Sequence, residues 1–288
     1  MTACVSIRIA FNLKIPLMLK TACLCSLLLS SIFVLAQPND PNDAPARLVP
    51  VTSIITHKIG NKNIRVVTSR YGEKKDFVFV ALHDNEFTGI ETAKSVLETT
   101  GGLLIRIEND DNRNISFRLD RRSFTFDPNR MFSKAGIKKT LQTFGRCNDR
   151  AIKEVDQFAN RIVKLFPRTA HCIVAIHDNT DGEYSVNNYQ KGGQSANDAR
   201  LVTVEALQDP DDFFLTTDSL VFHQLSAKKY NVVLQHNVRV KEDGSLSVFC
   251  AKKNLRYLNC ETEHGKSAQF DEMLEAAISC LQEMHPND

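Results

Sequence analysis

The chain has no internal repeat, no glycine-rich loop with phosphate-binding spacing, and no basic stripe interleaved with aromatics. The first absence argues against a solenoid or propeller. The second argues against a nucleotide-phosphate cradle, since Gly192-Gly193 stands without the further glycines and lysine that such a loop needs. The third makes nucleic acid a poor partner, because a binding surface for it is basic over a continuous stretch. Long apolar runs are also scarce. The longest, at 22–35, is short for a bilayer span and is not followed by the cysteine a lipid anchor requires.

That run reads as part of a leader. Arg8, Lys14 and Lys20 supply positive charge ahead of it, and Val34-Leu35-Ala36 offers a cleavage site before Gln37. A signal peptide over 1–36 is therefore expected, with Met18 as an alternative start and an uncleaved anchor as the competing reading. Cleavage would leave 33 cations against 34 acids and a protein secreted or periplasmic, without stable membrane association. Residues 37–47, with three prolines and two Asn-Asp pairs, read as a linker. The rest, 48–288, is long enough for one catalytic domain with a full core. Cys147, Cys172, Cys250, Cys260 and Cys280 remain in it, an odd number. Cys172, Cys250 and Cys260 lie in apolar runs and read as small core residues.

Along this domain, 51–56 and 64–68 alternate enough for a hairpin about Gly60-Asn61, and 76–82 is a buried strand followed by a helix at 89–99. Strands are expected at 103–107, 115–119, 170–176, 232–235, 246–250 and 257–260. Apolar residues at helical spacing predict helices at 149–166 and over the stripe Phe270, Met273, Leu274, Ala277, Ile278 and Leu281. Strands alternating with helices predict an α/β fold, three layers α/β/α with a central mixed, largely parallel sheet. The polar stretch 178–200, with Tyr184 and Tyr189, is long for a connection and reads either as a cover for a site or as a surface loop.

The chemistry concentrates where two apolar runs end. Val78-Phe-Val-Ala-Leu-His83 leads into Asp-Asn-Glu86, and Cys172-Ile-Val-Ala-Ile-His177 into Asp-Asn-Thr180. Ligands of α/β sheets bind where buried strands end. Two imidazoles and a carboxylate there could hold one Zn2+ per chain and leave a position open for water. His223, His236 and His264 read as structural or exposed. Between the two runs lies Arg121-Arg122 to Asp127-Pro-Asn129-Arg130, and near the end Glu261-Thr-Glu263-His-Gly265. An arginine beside a metal can bind a carboxylate bidentately or steady an oxyanion. Either late glutamate could serve as a base, since alternate strand residues share a face.

In this order the motifs resemble the zinc carboxypeptidase superfamily, in its succinylglutamate desuccinylase/aspartoacylase branch. That branch carries His-Gly-Asn-Glu, Asp-Leu-Asn-Arg-x-Phe, His-Asn-Thr and a late Glu-x-Gly. Here they are His83-Asp-Asn-Glu86, Asp127-Pro-Asn-Arg-Met-Phe132, His177-Asp-Asn-Thr180 and Glu263-His-Gly265. The departures are Asp84 for Gly, Pro128 for Leu, and Asp178 inserted after the histidine. The resemblance implies His83, Glu86 and His177 as metal ligands and Glu263 as general base, with Glu261 its competitor. It also implies Arg122, seven positions before Asn129, as the carbonyl-polarising residue, and Asn129 and Arg130 as the grip on a substrate carboxylate. Asp127 would orient an arginine or a zinc-bound histidine. The expected activity is hydrolysis of an amide bond in a carboxylate-bearing peptide or small molecule, as a carboxypeptidase or N-acyl-amino-acid deacylase, with cell-wall peptide a candidate in a bacterium. A non-catalytic binding protein that keeps the pocket is the alternative.

Overall fold

The long runs of β-branched and aromatic residues assemble into one nine-stranded sheet. In the computed structural model, residues 46–74 and 76–284 are described; the leader expected at 1–36 and most of the linker at 37–47 lie outside them. The strands are β1 (Val51–Ile59), β2 (Lys62–Tyr71), β3 (Phe77–Ala81), β4 (Gly102–Glu108), β7 (Cys172–Asn179), β8 (Ala199–Thr203), β9 (Phe213–Thr216), β10 (Val232–Gln235) and β11 (Tyr257–Glu263). A separate hairpin holds β5 (Ile115–Leu119) and β6 (Arg122–Phe126). The order across the large sheet is β1-β2-β4-β3-β7-β11-β9-β10-β8. The four central strands β4, β3, β7 and β11 run parallel, as the buried-run reading requires. Antiparallel pairings at β1–β2, β2–β4, β11–β9 and β10–β8 make the sheet mixed.

Helices cover both faces. On one lie α1 (Phe87–Thr100), α4 (Ser219–Ala227) and α6 (Ser267–Glu283); on the other lie α2 (Lys134–Thr143), α3 (Asp149–Val163), α5 (Leu246–Lys252) and the small hairpin. The period-2 alternation of each strand divides the core between these layers. Phe77, Phe79 and Ala81 pack with the first set, Val78 and Val80 with the second. Phe79, Phe158 and Phe270 are fully buried, each worth roughly 1.5–3 kcal/mol of apolar transfer. The stripe predicted on α6 is buried in full, and Asn148 caps α3 by accepting from the Ala151 N–H at 2.8 Å.

Helices α2 and α4 and strands β6, β8 and β9 lie where the sequence reading placed no element, and two of the elements it did place differ. Residues 246–250, expected as a strand, form α5, because Ser245 Oγ accepts from the Val248 N–H and starts a helical turn. And β7 runs through His177, Asp178 and Asn179 rather than stopping before them, so all three are held by ladder bonds to β11. The five cysteines among the described residues are free; Cys172, Cys250 and Cys260 are buried core residues, as expected. Among the described residues no helix is long and apolar enough to cross a membrane.

Candidate metal centre

β3 runs parallel beside β7 and stops two residues before His83, which leaves His83 next to His177 near the end of β7. Their rings lie 5.1 Å apart, centre to centre. Glu86 reaches between them from the residue before α1: Oε1 is 2.8 Å from His83 Nδ1 and Oε2 is 2.9 Å from His177 Nδ1. All three side chains are nearly fully buried. Two imidazoles and a carboxylate, each with a ligand atom within 4.8 Å of the others, form a group that could hold a metal ion. Burial disfavours the charged form of His83, but Glu86 and Asp127 outweigh it and raise its pKa to about 9. Burial likewise opposes the Glu86 anion, and the two histidines reverse that, holding its carboxyl far below the usual range. Such a carboxylate is ready to meet a cation.

The outer nitrogens of both rings are engaged as well. His83 Nε2 is 2.8 Å from Asp127 Oδ1, and Asn129 Nδ2 lies 3.4 Å from His177 Nε2. Asp127 therefore orients a histidine, one of the two roles the sequence left open. Asp127 Oδ1 also accepts from the Asn129 N–H at 2.7 Å, and Pro128 opens the short 3-10 turn that follows. Asn129 Oδ1 accepts from Leu246 N at 3.0 Å, locking this turn to α5. Arg130 Nη1 donates to the Asn129 carbonyl at 2.7 Å and stands 3.7 Å from Asp243.

The other two departures from the resembled motifs also acquire physical reasons. Asp84 Oδ2 accepts from the N–H groups of Asn109 and Asp111, at 2.5 and 3.0 Å, and so pins the β4–β5 turn. That turn carries Arg113, whose guanidinium pairs with Glu86 Oε1. Asp178, buried on β7, accepts from Thr88 N at 2.9 Å and Gly89 N at 2.8 Å, so that a strand residue caps the start of α1. Its Oδ2 lies 3.3 Å from His264 Nδ1. Asp178→Ala is expected to cost about 1–2 kcal/mol, the usual value of a lost helix cap. It should also loosen Glu86, which precedes α1. Urea denaturation checks this; an unchanged midpoint would mean that α1 is held by packing alone.

A cavity of about 560 Å³ opens beside these ligands and is lined by Glu86, Arg113, Asn129, Arg130, His177 and Glu261, among others. Two expected site residues are not brought to it. Arg122 begins β6, paired with Leu119 in the outer hairpin, and its side chain is exposed. Arg113, which the sequence reading did not single out, occupies the cavity instead. Glu263 lies one pair further along β11, opposite Asn179; its Oε1 meets Lys266 Nζ at 2.5 Å and groups with Asp181 and Asp211. Glu261 is the residue opposite His177 in the ladder, and it is 7% exposed. Burial raises its pKa above the usual glutamate value; His177 opposes the shift and Glu86 adds to it. Of the two glutamates, Glu261 lies beside His177 on the cavity and Glu263 faces a lysine.

The 178–200 segment contributes to the cavity wall. Tyr184 and Tyr189 line it with their hydroxyls hydrogen-bonded to each other, and both rings pack on Phe213. Burial raises both phenol pKa values, so they stay neutral donors.

No protein-family model matches the chain, and no curated protein does. Solved structures similar to it include apo cell shape determinant protein Csd4 from Helicobacter pylori, with a TM-score of 0.45 at 12% identity over 78% of this chain and 55% of that one. The mDAP-bound form of Csd4, described as a D,L-carboxypeptidase, gives 0.44 at 12% over 74% and 51%. An aspartoacylase family protein from Mesorhizobium loti gives 0.44 at 14% over 83% and 68%. The chain spans about half the length of the Csd4 structures.

Proposed function

We propose that this chain is a zinc-dependent hydrolase that cleaves an amide bond next to a free carboxylate, as a carboxypeptidase or an N-acyl-amino-acid deacylase. The observation that carries this reading is the convergence on one cavity of the His83–Glu86–His177 donor set, the buried carboxylate of Glu261 and the guanidinium of Arg130. Zinc held by Nδ1 of both histidines and by Glu86 would polarise the scissile carbonyl and bring its bound water towards a pKa of ~7. Glu261 takes a proton on its carboxylate and returns it to the departing nitrogen. A glutamate whose pKa burial has raised is suited to both halves of that task, because its carboxylate is a stronger base towards the attacking water's proton while its conjugate acid is still acidic enough to hand that proton to the departing nitrogen. Its Oε1 is held by Asn259 Nδ2 at 2.9 Å, which leaves Oε2 for the transfer.

The arginines divide the remaining work. Arg113 stands at Glu86 and is placed to meet negative charge developing on the carbonyl oxygen. Arg130 and Asn129 lie further along the same wall and suit the substrate's carboxylate. Arg130→Ala should therefore mainly raise KM for substrates with a free carboxylate, since that contact exists before and during reaction. Arg113→Ala should mainly lower kcat. Steady-state kinetics on paired carboxylate and carboxamide substrates distinguishes them, and equal activity on the two would remove the carboxylate grip.

Export is part of the proposal, from the leader at 1–36, and cell-wall peptide is then the natural substrate in a bacterium. The purified mature protein should begin near Gln37. The function as a whole is tested by metal analysis followed by a screen of C-terminal peptide and N-acyl-amino-acid substrates. Turnover that a chelator removes and zinc restores supports it. A zinc-loaded, folded protein inert towards both substrate classes overturns it in favour of a binding role.

A further inference from the structure

Past the metal-facing residues the cavity has a floor, built by Leu215 of β9, Gln235 of β10, and Tyr257 and Asn259 of β11. Positions this deep in a sheet are usually apolar. Here Gln235 is 3% and Asn259 6% exposed. The Asn259 amide is fixed in direction, because its Nδ2 donates to the Glu261 carboxylate and a carboxylate cannot accept from the amide oxygen. Asn259 Oδ1 is left with no donor. Buried acceptors without partners are costly and few in folded proteins, so each calls for a missing donor. On the wall of a cavity, that donor belongs to whatever fills it.

The geometry points to Asn259 as the specificity-determining residue of a side-chain subsite whose occupant ends in an N–H donor, an amide or an ammonium. This rests on the hydrolase reading for which part of the substrate stands there: the terminal residue, held by its carboxylate at Arg130 and with its amide bond beside Glu261. A purely apolar side chain would cover Asn259 Oδ1 and leave it unpaired. A carboxylate side chain would face two acceptors, Asn259 Oδ1 and Glu261. Sites built to hydrogen-bond a polar group reject the analogue without it far more strongly than apolar pockets discriminate by size.

The test is calorimetric binding of free amino acids to the zinc-loaded full chain. Glutamine and lysine supply the donor in neutral and charged form, methionine and norleucine match them in length without it, and glutamate replaces it with an acceptor. Wild-type protein should bind glutamine, lysine or both at least about tenfold more tightly than methionine, norleucine and glutamate. Asn259→Leu should erase that preference. Because Leu also frees Glu261, Asn259→Asp provides the second arm: it keeps an acceptor, adds charge, and should move preference towards lysine over glutamine. Equal binding of norleucine and the donors by wild type, or a preference unchanged in Asn259→Leu, overturns the assignment. The same residues placed at the end of a peptide separate this failure from that of the function. Discriminating binding without cleavage of any peptide leaves the subsite standing and removes the hydrolase.

Discussion

Glu261→Gln is expected to keep the fold and its zinc and to lose activity by roughly a hundredfold to ten-thousandfold, the range that general acid–base catalysis supplies. The substitution is nearly isosteric and removes only the charge that accepts the proton. Asn259 can still hydrogen-bond the new amide oxygen, so the β11 ladder and the cavity floor should stay as they are. Glu263→Gln should cost far less, because its carboxylate is committed to Lys266, and the loss would fall on that partly buried ion pair. Stopped assays with metal content measured on the same samples give the comparison. A dead Glu263→Gln beside an active Glu261→Gln would restore the order implied by the late Glu-x-Gly motif. Full activity with zinc bound in both would end the general-base role of β11 altogether.

Why Glu261 and not Glu263 lines the cavity is a matter of register. Period-2 alternation puts Glu261 and Glu263 on one face of β11, and nothing local separates them. The separation comes from the neighbouring strand: pairing sets Glu261 across from His177 and Glu263 across from Asn179, and the turn after β11 brings Lys266 to the latter. Arg122 and Arg113 differ for a similar reason. Counting back seven residues from Asn129 lands at the turn of an outer hairpin, whereas Arg113 reaches Glu86 from a β4–β5 turn that Asp84 ties down. Asp84 and Asp178 were visible in the sequence as departures from the motifs, and their carboxylates turn out to fasten the segments that bear Arg113 and Glu86. The candidate ligands were legible because each histidine follows a run that reads as a buried strand. Short runs were not: Leu246-Ser-Val-Phe-Cys250 fits a strand by alternation and a helix by Leu246, Phe249 and Cys250, and the Ser245 cap decides it.

The purified chain should carry about one zinc, and His83→Ala or His177→Ala should abolish it, because three protein ligands are the minimum a catalytic zinc site uses and two cannot hold the ion against buffer. Glu86→Gln is the subtler case. The amide keeps the shape and one oxygen donor but loses the charge between two imidazoles, and it also leaves Arg113 without its anion. Zinc affinity should fall steeply there without vanishing. Asp127→Asn tests the outer contact: His83 would keep a hydrogen-bond partner but lose the carboxylate that fixes its tautomer, which typically lowers metal affinity about ten- to a hundredfold. Dialysis against a zinc buffer and elemental analysis rank the four variants. The expected order of weakening is Asp127→Asn, then Glu86→Gln, then either histidine variant. Full zinc occupancy in the His83→Ala/His177→Ala double variant would show that the ion binds elsewhere and would take the Glu261 and Arg113 assignments with it.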